Sequence, residues 1–277
     1  MTLPNFIGIG AQRSGTNWLD AQLREHPDIY LPTARNEIHF FDLNYDKDLD
    51  WYKKFFPRSD HASKYRAIGE VTPRYMYDPS VPSRIRDHIP GCKLIAILRN
   101  PVDRAYSQYG LNVRDRAERR SFNKFLEQNP SVFEIGLYGM HLKRYLKHFP
   151  KEQILVLIFE RVISNPEHAL GKIASFLSIE ANLFTNRHVT DRVNTSYRPR
   201  FASLRAAVRR CGIFLRAKDL DWIVNLAKSA GIPHMFGNLG PLPPIDVNTR
   251  AVLAAKYEQD IAFLEELVGE DLSFWRV

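Results

Sequence analysis

Four short runs of the chain are apolar at almost every position: Phe6–Ile9, residues 67–70 closing on Glu70, Leu94–Leu98 and residues 154–159. Runs this short fit strands covered on both faces, as in a parallel sheet. Between them the apolar residues recur at three- and four-residue spacing, the period of a helix with one buried face. Trp18, Leu19 and Leu23 follow the first strand, and the pattern returns over Leu49–Phe56, Phe122–Leu126, and Tyr138–Phe149. Pro101 and Pro166 each suit a first helical position, and residues 250–267 carry a stripe at 253, 257, 261, 264 and 267. This alternation predicts an α/β fold of three layers, with helices on both faces of a mostly parallel central sheet. Prolines at 27 and 32 keep residues 26–42 extended. A period of two there puts Glu37 and His39 on one face and Ile38 and Phe40 on the other. No internal repeat, low-complexity tract or domain break interrupts the pattern, so 1–277 reads as a single domain.

The stretch FIGIGAQRSGTNWLDAQL, Phe6–Leu23, joins a strand to a helix through a tight loop from Gly10 to Gly15. Glycine lets such a loop turn sharply, and the helix that follows aims unpaired N–H groups and its positive dipole end at an anion. The spacing of Gly10 and Gly15 matches the P-loop of nucleotide triphosphatases. Thr16 and Asn17, however, stand where that motif has its lysine and its magnesium-binding hydroxyl. A cation lies inside the loop instead, at Arg13, where a fork of donors suits a phosphate or a sulfonate. The expected ligand is a nucleotide anion held without a metal.

Two further stretches carry chemistry. In NEIHFFD, Glu37 and His39 point together beside buried aromatic surface, which suits a carboxylate poised as a base; a solvated loop carboxylate fits Glu37 equally. In KLIAILRNPVDRAYSQY the apolar strand stops at Arg99, at the strand's carboxyl end, where open α/β sheets bind ligands. Arg99 could grip a phosphate and Ser107, two turns into the next helix, could add a hydroxyl, unless Arg99 simply pairs with Asp103. Glu70 reads best as a helix or loop cap.

Composition adds less. Of 277 residues, 44% are hydrophobic and 25% charged, as in an ordinary globular protein, and a formal charge of +8 favours anionic partners. The charge is spread along the chain, so no nucleic-acid partner is expected. Cys92 and Cys211 form neither a disulfide framework nor a zinc site. No segment is apolar enough to span a membrane, and a cytoplasmic location is expected. From Arg187 to Arg216 the chain is basic, with Phe201, Leu204 and Val208 on one helical face. Three readings fit it: a cover over an anion, a peripheral contact with anionic lipid, or a solvated basic face.

Taken together, Arg13 in a glycine loop, Glu37 in NEIHFFD, and Arg99 followed by Ser107 resemble the PAPS-dependent sulfotransferases, nearest to the heparan-sulfate-type and bacterial carbohydrate enzymes. PAPS is 3'-phosphoadenosine 5'-phosphosulfate. The resemblance runs from Phe6 to about Arg200. It implies that Arg13, Ser14, Gly15, Thr16 and Asn17 hold the 5'-phosphosulfate, that Arg99 and Ser107 hold the 3'-phosphate, and that Arg198 lies on a loop closing over the nucleotide. It also implies Glu37 as the base, aided by His39, with His39 and Asp42 at the acceptor. The implied activity moves a sulfuryl group from PAPS to a hydroxyl, carbohydrate first, without a metal. A nucleotide kinase or P-loop NTPase, and a non-catalytic binder of anionic polysaccharide or lipid, are the alternatives. Three positions depart from the family: Arg13 replaces a lysine, Asn17 stands where many members have threonine or arginine, and Val71 replaces the lysine of an E-K-T-P motif. The last makes a heparan-like acceptor the less secure part of the implication.

Overall fold

The computed structural model describes residues 1–185, 202–217, 223–224, 226–227 and 240–276. In chain order the elements are β1 (Phe6–Gly10), α1 (Thr16–Glu25), β2 (Ile29–Tyr30), α2 (Phe40–Leu43), α3 (Leu49–Lys53), α4 (Ser59–Ala62), β3 (Ala67–Val71), α5 (Val81–His88) and β4 (Lys93–Leu98). There follow α6 (Pro101–Arg116), α7 (Phe122–Gln128), α8 (Pro130–Glu134), α9 (Tyr138–Leu146), β5 (Ile154–Ile158), α10 (Phe159–Ser164), α11 (Pro166–Leu177), α12 (Ala202–Ala217) and α13 (Val247–Val268).

The five strands form one sheet in the order β2-β3-β1-β4-β5, and every neighbouring pair is parallel. Side chains alternate across it and feed two cores. Ile7, Ile9, Leu94, Ala96 and Leu98 face a layer built from α5, α6, α9 and α13, through Val81, Ile85, Val102, Leu142, Tyr145, Tyr257 and Leu264. Phe6, Ile95 and Ile97 face the other layer, where α1 contributes Trp18, Leu19 and Leu23 and α11 contributes Leu170, Ile173 and Leu177. Both faces are covered, which is why the strands read as continuous apolar runs.

Because the strands are parallel, β1, β3 and β4 all end on one edge, and three backbone bonds stitch their following turns together. Ala11 N–H donates to the Ile97 carbonyl at 2.8 Å, Thr72 N–H to Gly8 at 2.9 Å and Met76 N–H to Ile9 at 2.9 Å. Local sequence fixes where helices leave this edge. The Asn100 side chain accepts from the N–H groups of Val102 and Asp103, and Pro101 takes the first position of α6, where a missing N–H costs nothing.

Two expectations change. Residues 37–39 are irregular, and Phe40 opens a short helix where an extended segment was predicted. The paired faces survive because His39 takes the left-handed conformation, φ 57°, and turns the chain between Ile38 and Phe40, both buried. The apolar run 154–159 also divides: β5 ends at Ile158, and Phe159 begins α10.

Candidate active site

The glycine loop wraps the start of α1. Gly15 precedes the helix at φ 102°, a backbone region that side chains rarely enter, and a Cβ there would fall 2.4 Å from the Phe159 ring. Ser14 is buried, with its Oγ 3.4 Å from the Tyr138 hydroxyl, and Thr16 is buried, while Asn17 is exposed. The first turn of α1 contains no acidic residue. Helix geometry leaves the N–H groups of Thr16 and Asn17 without intrahelical carbonyls, and the dipole adds positive potential at the same place.

Arg13 reaches from this loop to α6, where its Nε and Nη2 donate to Ser107 Oγ at 3.1 and 3.0 Å. Burial, together with the positive charges of Arg114 and Arg99, pushes its guanidinium down from 12.5 to about 10, with Asp115 opposing. Arg13 is therefore still a cation at neutral pH, in a place where three like charges meet one acid. Asp115 is itself paired with Arg114 at 2.9 Å, and Arg209 of α12 approaches it at 4.0 Å. Arg99 lies over the Phe159 ring, 5.4 Å from its centroid, while Asp103 pairs with Arg250. One aromatic ring thus backs both Gly15 and Arg99.

On the β3 side, His39 stands between two carboxylates. Its Nε2 is 3.1 Å from Glu37 Oε2, and its Nδ1 is 3.0 Å from Asp42 Oδ2. Burial works against the imidazolium, but hydrogen bonds to Asp42 and Glu37 overcome it and raise the ring from 6.5 to about 9. The Asp42 side chain is fully buried and also lies 3.1 Å from Arg74 Nε. The Glu37 side chain is 46% exposed, so this chain of charges ends in a carboxylate open to solvent. With a carboxylate oxygen facing each ring nitrogen, the surroundings of His39 favour the doubly protonated ring, in which both nitrogens donate.

A family model described as the sulfotransferase domain matches residues 3–203. The chain belongs to the sulfotransferase family. Heparan sulfate glucosamine 3-O-sulfotransferase 3B1 of Homo sapiens is 36% identical over 195 residues, covering 67% of this sulfotransferase and 48% of the relative. Heparan sulfate glucosamine 3-O-sulfotransferase 6 of Mus musculus is 33% identical over 193 residues, covering 67% and 55%. The chain thus spans about half the length of the curated relatives it matches. A crystal structure of a sulfotransferase from Alicyclobacillus acidocaldarius superposes with a TM-score of 0.71 at 27% identity, covering 100% of both chains.

Within this sulfotransferase the structure joins Arg13 to Ser107, sets Arg99 beside them, and brings Glu37, His39 and Asp42 into one hydrogen-bonded group. Arg198 lies outside the described residues. Among the described residues no group of His, Cys, Asp and Glu is arranged to hold a metal ion. A cavity of about 690 Å³ along the outer edge of β5, lined by Leu142, Ile154 and Leu267 among others, shares no residue with either half of the site. Sequence reasoning missed Arg114, Asp115 and Phe159, whose links to the loop run across the fold. It also misplaced Glu70, which is no cap. It sits inside β3, 1% exposed, accepting from the hydroxyls of Tyr52 (2.7 Å), Thr72 (2.6 Å) and Tyr75 (3.1 Å).

Proposed function

We propose that this sulfotransferase domain moves a sulfuryl group from PAPS to a hydroxyl of a carbohydrate acceptor, with Glu37 taking the hydroxyl proton. The observation that carries the reading is Arg13, donating to Ser107 from the glycine loop with the charges of Arg114 and Arg99 close enough to act on it. Such an arrangement is stabilised by an anion, and the loop N–H groups of Thr16 and Asn17 offer a second set of donors. The two sets suit a nucleotide with separated anionic ends. The residues present fit PAPS, and its site would be held by Arg13, Ser14, Gly15, Thr16 and Asn17 at one end and by Arg99 and Ser107 at the other.

PAPS, when bound, supplies the sulfuryl group, whose bond to the 5'-phosphate oxygen breaks as the acceptor oxygen bonds to sulfur. The electron pair of the broken bond stays on the phosphate. Arg13, still cationic at neutral pH, stabilises that developing charge electrostatically. Glu37 accepts the proton lost by the acceptor. His39, cationic and braced by Asp42, fixes the carboxylate so that little reorganisation is needed at the moment of transfer.

A carbohydrate acceptor is supported by the kinship with enzymes named for heparan sulfate glucosamine, and by the cation Arg74 paired with Asp42 behind His39. We treat 1–277 as one catalytic unit with a cytoplasmic location, which cell fractionation tests. Among the described residues no helix is long and apolar enough to cross a membrane. Exposed Leu204, Val208, Ile213 and Phe214 on the basic helix α12 support a peripheral lipid contact, for which flotation with anionic vesicles is the measure.

The decisive experiment is transfer of radiolabelled sulfate from PAPS across carbohydrate, lipid and phenolic acceptors, with heparan sulfate oligosaccharides first. Label on a carbohydrate supports the proposal. Label only on lipids or phenols removes the carbohydrate reading, and PAP binding without transfer to any acceptor removes the catalytic one.

A further inference from the structure

The buried carboxylate of Glu70 has no part in the transfer described above, yet its partners lead directly to the base. Tyr75 is fully buried on the turn after β3, and its hydroxyl meets three groups at once: Glu70 Oε1 at 3.1 Å, the N–H of Phe40 at 2.9 Å and the N–H of Phe41 at 3.3 Å. A phenol has one proton. The two backbone groups are donors, so the oxygen must accept from them and send its proton to Glu70. Phe40 and Phe41 open α2, whose first N–H groups have no intrahelical carbonyl, and His39 at the cap position provides no side-chain acceptor. The cap comes instead from a residue 35 positions away. The carbonyl ends are held as well, Ile38 and His39 by Asn44 Nδ2 at 3.2 and 3.0 Å and Phe41 by Arg84 at 2.7 Å.

We propose that Tyr75, fastened by Glu70, is a positioning residue for the transfer step: its hydroxyl caps α2 and so fixes the left-handed turn at His39 that holds the ring between Asp42 and Glu37. The proposal rests on the reading of Glu37 as the base. The groups that face His39 are Glu37 on its own loop, Asp42 on α2 with Arg74 behind it, and Glu70 on β3, which is close enough for its charge to respond to that of His39. Tyr75 carries no charge into this set and acts through geometry.

Tyr52 provides the control. Its hydroxyl donates to the same Glu70 oxygen at 2.7 Å but touches no backbone group of α2, and its ring stacks on Phe40 at 4.5 Å, which phenylalanine would preserve. Tyr75→Phe and Tyr52→Phe each remove one hydroxyl from one buried carboxylate, so a purely structural role predicts the same loss from both. Positioning predicts a split. With [³⁵S]PAPS and a heparan sulfate oligosaccharide, or the acceptor returned by the screen, Tyr75→Phe should lower kcat about 10-fold or more with KM for PAPS within about 2-fold, while Tyr52→Phe stays within about 3-fold of the parent. Equal losses, or full activity of Tyr75→Phe, overturn the proposal.

A readout independent of turnover is the His39 ring, followed by NMR titration and assigned with His39→Gln. Its pKa should fall by about one unit or more in Tyr75→Phe and hold in Tyr52→Phe; no movement in Tyr75→Phe overturns the proposal. This readout still decides the positioning role if Glu37→Gln proves fully active and the base assignment fails. If Tyr75→Phe does not fold, hydrogen exchange of the unmodified chain takes its place: the Phe40 and Phe41 amides should be protected like core amides, and exchange at the rate of a frayed helix start overturns the cap.

Discussion

At the scale of single residues, the two halves of the site respond to different substitutions. Glu37→Gln removes the proposed proton acceptor but none of the cations, so transfer should fall by on the order of 10²-fold or more while calorimetry with 3'-phosphoadenosine 5'-phosphate shows nearly unchanged affinity. Arg99→Ala should do the reverse, weakening that affinity by about 10- to 100-fold through loss of a charge-assisted contact. His39 gives a pH signature. Its folded-state pKa is raised to about 9 from 6.5, so the stability it contributes is complete below pH 6.5 and is lost as pH climbs through 9. The melting temperature of the parent should therefore drop more steeply between pH 7 and 10 than that of His39→Gln, and transfer should show an alkaline limb near pH 9 that the variant lacks. Residue identities were legible wherever a motif is local: GAQRSGTN, NEIHFFD and RNPVDRAYS each show their chemistry within a few positions. Glu70 was not, because what distinguishes a buried carboxylate from a cap is the company of Tyr52 and Tyr75, brought to it by the fold.

At the scale of elements, the loop before α1 depends on one small contact. Gly15 combines a positive φ with a missing Cβ that the Phe159 ring would otherwise strike. Gly15→Ala should cost more than about 1 kcal/mol of stability by urea denaturation and should also move Phe159, on which Arg99 lies, so nucleotide affinity falls together with stability. Four of the five strands were readable because burial leaves continuous apolar runs, the two-residue β2 being too short to leave one, and α6 and α11 because Asn-Pro marks their starts. The segment around His39 was misread for a definite reason. Alternation of polar and apolar residues signals a strand only if every residue is extended, and a single left-handed residue can produce the same pairing of faces without one. The breaks at Phe159 and the short helices α4, α5 and α8 had no periodicity long enough to reveal them.

At the scale of the whole molecule, the C-terminal residues are part of the support for the nucleotide half. Trp275 is fully buried, its Nε1 donates to Glu160 at 3.2 Å, and its carbonyl accepts from Asn100 Nδ2 at 3.2 Å, beside the start of α6. Glu160 in turn accepts from the Asn100 N–H at 2.9 Å. Trp275→Ala should cost about 3–5 kcal/mol in chemical denaturation, with the loss felt at Arg99 and Ser107 more than at Glu37. Neither the link nor its target is visible in the sequence, since 175 positions separate Asn100 from Trp275.

The crowding of Arg13, Arg99 and Arg114 also has a practical meaning for anyone handling the protein. Arg13 is buried with the charges of Arg114 and Arg99 beside it, and a small dianion bound there would offset both the lost hydration and the repulsion. Phosphate and sulfate buffers should therefore act as weak inhibitors and as stabilisers at once, raising the melting temperature while depressing apparent nucleotide affinity, and Arg13→Ala should abolish the difference between those buffers and chloride at equal ionic strength.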